Sequence, residues 1–274
     1  MNRPVLNDFQ EATVIHAGDR PDVFTGTIPD GWQQGKGAFG GVVVALLARA
    51  LLASEPSPTR ALRTISADLC APALPGEVEL HVTRLRRGGN VSFLDVRMSQ
   101  EGALVARAST ALASARAIPP STIHRLAPSP PPPLPPWRDV PPVPVAPPFG
   151  PVFARRYEYR STGPIPFGGG AEPVAEGWVR EAVAPSVRDE PGILALLDAW
   201  WPAVFSVETG PRAAATMGYT AQIVLDPRTL DPAEPLAYRA RALRGADNFF
   251  IELRELWSGG EVVAMNQQTF ALLS

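Results

Sequence analysis

The chain has 274 residues, 45% of them hydrophobic and 19% charged, with a formal net charge of −2. That length and apolar content support a substantial core and exclude a disordered chain, and the absence of any run of like charge removes the electrostatic footprint for nucleic acid or an anionic membrane surface. The one cysteine, Cys70, excludes an internal disulfide and a cysteine-based zinc site, and His16, His81 and His124 are too far apart for metal-ligand spacing, so no metal or cofactor is expected.

The opening residues, MNRPVLNDFQEAT, lack the apolar core of a signal peptide. The longest apolar run, Gly37 to Ala48, is about a dozen residues long where a membrane span needs roughly 20. No membrane span and a cytoplasmic location are expected. Inside that region Gly35-Lys36-Gly37-Ala38-Phe39-Gly40 fits the spacing G-x-G-x-x-G. A dinucleotide fingerprint also needs a parallel βαβ unit with an acid about 20 residues on. The strands that follow read as antiparallel, and Asp68 comes late and inside a strand. A phosphate loop fails as well, because Gly31-x-x-x-Gly35-Lys36 is one residue short and no Ser or Thr follows the lysine.

Gly40 and Gly41 have a simpler reading. They start a helix whose first N–H groups lack internal partners. Without side chains, they let a carbonyl or oxyanion approach those donors. A tight turn packing helix against sheet is the alternative. From Gly41 to Ala53 only Arg49 is charged, and a helix apolar all round is a buried one. Beyond it Val78, Leu80 and Val82 alternate with Glu77, Glu79, His81 and Thr83, and Leu94, Val96 and Met98 continue the period-two pattern after the Gly88-Gly89 turn. These are half-buried antiparallel strands.

Residues 117–151 hold nearly half of the chain's 32 prolines. Proline lacks an amide donor and fixes φ, so this segment reads as a polyproline-II-like linker. It separates two similar halves, residues 1–116 and 152–274. Arg87-Gly88 matches Arg244-Gly245, Phe93-Leu94-Asp95 matches Phe250-Ile251-Glu252, and Val105-Ala106 matches Val263-Ala264. Gly31-Trp32 echoes Gly177-Trp178, and Thr64 and Thr216 each open a strand. In the second half Leu236, Tyr238, Ala240 and Ala242 alternate with Arg239 and Arg241, then Ile251 and Leu253 with Glu252 and Arg254. The shared order predicts a duplicated α+β fold, each unit a curved antiparallel sheet around a buried helix.

Asp198 interrupts GILALLDAWWPAVF, where every other residue is apolar, glycine or proline. A buried carboxylate without a partner is costly, shifts its pKa upward, and marks functional sites. Capping of a short helix or a wet patch is the plainer account. The matching position in the first half is Leu47, so one site per chain is expected.

A glycine-started buried helix wrapped by antiparallel strands, twice over, resembles a double hotdog. The stretches GAFGGVVVALL, LCAPALPGEVELHVTRLRRGGNVSFLDVRM, LLDAWWP, AATMGYT and GEVVAMNQQTF look like the acyl-CoA thioesterase II (TesB-type) family. The resemblance implies an Asp, a Thr or Ser, and a Gln that position a water. These map to Asp198, Thr216 and Gln268, with Gln267 the alternative if the strand register slips by one. It also places Gly40 and Gly41 opposite Asp198, as donors to a thioester oxygen. The implied activity is hydrolysis of an acyl-CoA or acyl-carrier thioester without metal or cofactor, and association of the sheets into a homo-oligomer stays open. Arg87 and Arg244, at equivalent turns, are candidates for contact with a carrier phosphate. No G-x-S-x-G elbow supports a serine hydrolase. A non-catalytic acyl- or ligand-binding protein is the main rival reading, and a hydratase, which would pair a histidine with a carboxylate, a lesser one.

Overall fold

A computed structural model describes residues 6–116 and 130–273. A short helix α1 (Asp8–Ala12) leads through strands β1 (Ile15–Ala17), β2 (Val23–Ile28), β3 (Gln33–Gln34) and β4 (Gly37–Ala38) to helix α2 (Gly40–Ala53). Four long strands follow: β5 (Arg60–Leu69), β6 (Gly76–Arg87), β7 (Val91–Gln100) and β8 (Ala103–Ser114). The remainder holds β9 (Tyr157–Ser161), β10 (Val174–Glu181), α3 (Glu190–Asp198), β11 (Ala213–Ile223), β12 (Leu236–Ala246), β13 (Phe249–Ser258) and β14 (Glu261–Leu273).

Apart from the β3–β4 hairpin, the strands form one twelve-stranded sheet in the order β1-β2-β6-β7-β8-β5-β11-β14-β13-β12-β10-β9. Read outward from the β5–β11 seam the order is the same on both sides, so each strand has a counterpart. The seam is antiparallel, from Asp68 opposite Gly218 to Thr64 opposite Gln222. Helix α2 packs on β2 and β5 to β8, and α3 on β10, β13 and β14. The expected all-round burial of α2 holds: Gly41 to Ala48, Ala50 and Leu51 are buried. Each large aliphatic side chain so buried contributes roughly 1.5–3 kcal/mol.

The register refines the internal repeat. In the first half Arg84 faces Leu94 just before a bulge at Leu85. In the second, Ala242 faces Glu252 just before a bulge at Leu243. Leu94 therefore corresponds to Glu252, not to Ile251, one residue away from the match that the sequence suggests. Arg244 likewise corresponds to Arg86. Val105-Ala106 and Val263-Ala264 do share their places, Ala106 facing Met98 and Ala264 facing Leu256. Thr216 faces Phe270 as Leu62 faces Leu112, so its counterpart is Leu62 and not Thr64. Gly31-Trp32 lies in the turn before β3, whereas Gly177-Trp178 is inside β10, so that echo is not a structural one.

The same register reverses the reading of β13. Glu252 and Arg254 are buried at 0% and 1% exposure, while Ile251 on the other face is 38% exposed. The described part of the proline-rich segment is held against the sheet. His124 lies outside the described residues. From Pro130 onward the segment lies on the second half: Trp178 Nε1 donates to Pro135 O at 2.9 Å. Arg160 Nη1 donates to Trp137 O and Val140 O at 2.9 and 2.8 Å. The guanidinium groups of Arg160 and Arg180 lie over the Trp137 ring at 4.2 and 5.0 Å. Val143 bridges to Tyr159, covering the edge strand β9, a common protection of free strand edges.

Candidate active site

The N-cap of α3 is Asp189, whose side chain accepts from Gly192 N at 2.9 Å, with a proline in the first turn. The helix is apolar until its last residue, Asp198, and Pro202 four positions on disfavours continuation. Its C-terminal carbonyls would be orphans. Arg254 Nη1 donates to Leu197 O at 3.1 Å and to Trp200 O at 3.4 Å. Tyr159 Oη donates to Ala199 O at 3.0 Å, and Tyr219 Oη to Leu194 O at 2.8 Å.

Helices α2 and α3 lie antiparallel: Arg49 Nη1 meets Asp189 Oδ2 at 3.0 Å at one end, and Gly40 meets Asp198 at the other. A Cβ on Gly40 would fall 2.7 Å from Asp198 Oδ2. A Cβ on Gly41 would fall 2.9 Å from Ala195 Cα, so neither position accepts a side chain without displacement. The two glycines thus serve close approach in the packing sense and also put the α2 N-terminus, the positive end of its dipole, against a carboxylate.

Asp198 is 7% exposed. Its Oδ1 accepts from Gln268 Nε2 at 2.8 Å, and Gln268 Oε1 in turn accepts from Thr216 Oγ1 at 3.1 Å. The threonine thereby orients the amide with its NH₂ toward the carboxylate. Arg254 Nη1 stands 3.5 Å from the same Oδ1. Burial pushes the Asp198 carboxyl above its ordinary value, and Arg254, the Gln268 amide and the Gly41 N–H, which points at it, pull part of the way back.

The structure therefore brings Asp198, Thr216, Gln268, Gly40 and Gly41 together. Gln267 is exposed on the opposite face of β14. His81 pairs with Glu79 on the surface, His16 is exposed, and Arg87 Nε lies 3.6 Å from Glu55 Oε1. Trp200 and Trp201 are buried beside Asp198, Trp200 stacking on Tyr238 with centroids 4.8 Å apart.

Glu252 and Arg254 join the site unpredicted. Glu252 Oε1 accepts from Arg254 Nε at 2.8 Å and its Oε2 accepts from Ala203 N at 2.6 Å. The Arg254 guanidinium also lies over the Phe270 ring, at 5.2 Å from the centroid. The available signal was two opposite charges at i and i+2 in a strand bracketed by Phe250 and Leu256, positions that share one face.

Comparison with known proteins adds the following. The acyl-CoA thioesterase N-terminal domain family matches residues 28–115, and the acyl-CoA thioesterase C-terminal domain family matches residues 124–272. Among solved structures, a conserved protein with a hotdog fold from Alicyclobacillus acidocaldarius superposes with a TM-score of 0.88 at 23% identity, covering 98% of this chain and 99% of that one. An acyl-CoA thioesterase II of Mycobacterium marinum superposes with a TM-score of 0.76 at 15% identity, covering 97% and 98%. A TesB protein of Mycobacterium avium gives 0.75 at 16% identity, covering 98% and 100%. These likenesses establish a hotdog fold, mostly sheet with few helices. No protein among the curated sequences matches significantly.

Proposed function

The chain belongs to the acyl-CoA thioesterase family, and from that membership we propose that it is a double hotdog that hydrolyses an acyl thioester, of CoA or an acyl carrier, at one site per chain. Residues 1–116 and 152–274 are its two units, with 117–151 as the proline-rich linker between them; the repeated strand order on either side of the β5–β11 seam supports that division.

The observation that carries the activity is the chain of contacts from Thr216 through Gln268 to a buried Asp198 that faces the start of α2. Asp198 is the general base. Its raised pKa makes it a better proton acceptor than an ordinary surface carboxylate. It takes a proton from a water held with the help of Gln268 and Thr216, and the water oxygen bonds to the thioester carbonyl carbon. The negative charge that grows on the carbonyl oxygen is stabilised by first-turn N–H groups of α2, chiefly Gly40, with Gly41 beside it. Collapse of the intermediate breaks the C–S bond, and the proton held by Asp198 passes to the departing sulfur. The products are a carboxylic acid and a free thiol. The acyl group lies in the apolar space between helix and sheet, bordered by Trp200 and Trp201.

The test is free-thiol release from a panel of acyl-CoA thioesters of differing chain length and aromaticity, comparing the natural protein with Asp198→Ala. Turnover by the first and its loss in the second, with binding preserved, supports the reading. Binding of acyl-CoA without turnover across the panel replaces it with a ligand-binding protein.

A further inference from the structure

We infer that Glu252 and Arg254 are positioning residues for Asp198: Glu252 draws the Arg254 guanidinium to itself, so that the arginine anchors the end of α3 and steers Asp198 toward Gly40 without closing on it as a full ion pair. The inference rests on the proposed role of Asp198 as base.

Three observations carry it. First, one cation serves two carboxylates unequally. Arg254 Nε lies 2.8 Å from Glu252 Oε1, and its Nη1 lies 3.5 Å from Asp198 Oδ1. Glu252 is held in place by Ala203 N on its second oxygen at 2.6 Å. Arg254 is held by Leu197 O at 3.1 Å and Trp200 O at 3.4 Å. Neither partner is free to swing. Second, among the described residues no other cation pairs with Asp198. The groups whose charge or hydrogen bond couples to it are the Gly41 N–H from α2, Tyr157 and Tyr159 from β9, Tyr219 from β11, Tyr238 from β12, Glu252 and Arg254 from β13, and Gln268 from β14. Arg254 is the one positive charge in that set. Third, the pair occurs only in the half that carries the carboxylate. The same places in β7 hold Leu94 and Val96, and α2 carries no acid along its length.

With both carboxyls ionised the cluster carries one uncompensated negative charge in a buried site. Such a cluster retains a proton readily. Burial raises the Glu252 carboxyl as it raises Asp198, and Arg254 and the Ala203 N–H pull Glu252 part of the way back; the shorter bonds to Glu252 leave Asp198 as the group that exchanges the proton.

The experiment is a titration of the full chain with ¹³C-labelled Asp and Glu carboxyls followed by NMR, alongside the pH profile of acyl-CoA hydrolysis. The variants are Glu252→Gln and, as a control, Glu255→Gln, a buried glutamate on the other face of β13 paired with Arg239 at 2.9 Å. In Glu252→Gln the guanidinium stays anchored at Leu197 O and Trp200 O, and its charge, no longer shared with a second carboxylate, acts on Asp198 alone. Its titration midpoint and the acid limb of kcat/KM both fall by about one pH unit, a tenfold gain in acidity. The kcat plateau drops about tenfold as the base weakens, with KM within about twofold. Glu255→Gln moves neither. Unchanged Asp198 midpoint and limb in Glu252→Gln overturn the inference. Should that variant not fold, the natural protein decides: Asp198 protonating at higher pH than Glu252 supports it, and the reverse order overturns it. Absence of thiol release would sink the thioesterase reading alone, because the carboxyl titration is read without turnover.

Discussion

Around α2 the first half presents Leu62, Leu94, Val96, Thr110 and Leu112; at the same places around α3 the second half presents Thr216, Glu252, Arg254, Gln268 and Phe270. The backbone frame is common to both, strand for strand. What differs is how each interior is stabilised. Around α2 the first is apolar apart from Thr110, and its buried ion pair, Glu55 with Arg60, lies past the C-terminus of that helix. The second holds charged groups that satisfy one another and the orphan carbonyls at the end of a short helix. The first half thus lends the start of α2 to the candidate site, whose polar side chains all come from the second.

This comparison can be broken most directly at Asp198. Asp198→Asn should reduce thioester turnover by about 10³-fold, equivalent to about 4 kcal/mol of barrier. It should leave thermal stability unchanged or higher, because a neutral amide costs less to bury than a carboxylate. A loss of turnover below tenfold would end the division of labour. A change inside the first half's buried helix, Leu47→Ala, should cost about 3 kcal/mol of stability by denaturant unfolding and leave kcat per folded molecule alone. An effect on kcat as large as that on stability would show that the first half does more than support.

Titration sharpens the contrast further. Burial raises Asp198 above its unfolded value, so the folded state binds its proton more tightly than the unfolded state does. Its contribution to stability is therefore present at low pH and is lost as pH rises through the folded midpoint. Activity runs the other way, because the base must be ionised. kcat/KM should rise with pH through a midpoint above the ordinary aspartate range, while stability falls over the same window, and Asp198→Asn should remove the fall. Coincident loss of both at acid pH would contradict this. The smallest expected effect is that of Thr216→Val, which puts an aliphatic residue where the first half has Leu62. Losing one hydrogen bond that orients Gln268 is worth about 1 kcal/mol, so kcat should fall about five- to tenfold with little change in melting temperature.

Much of this was readable in the chain. Thirteen residues with one charge, from Gly41 to Ala53, leave no wet face for a helix, and a lone acid in an apolar run has few reasons to be there. Asp198, Gly40 and Gly41 stand out from the residues alone, Thr216 and Gln268 only through the family resemblance, and the five meet in space. The inner face of β13 was not readable. Period two tells that residues alternate, not which set faces in, and bulges at Leu85 and Leu243 shift the pattern by one residue between β6 and β7 and between β12 and β13. The outer face misled in the same direction, because the strap from Pro130 to Val143 lies against that side of the second half and Trp257 there is 1% exposed. From Glu255 to Trp257 the strand is buried on both sides, and there the alternation that would tell its faces apart is lost.

The seam between β5 and β11 bears on how the molecule acquires its site. Ser66 and Thr220, whose hydroxyls meet there at 3.0 Å, are separated by 154 positions in the chain. Bringing such distant segments together is entropically slow, whereas the hairpins β6–β7, β7–β8, β12–β13 and β13–β14 need only local closure. In refolding, the tryptophan-rich interior around α3 should therefore become native before the seam zips. Gly40 meets Asp198 only when that last long-range join is made, so a nascent or partly refolded chain is compact for some time before it is competent.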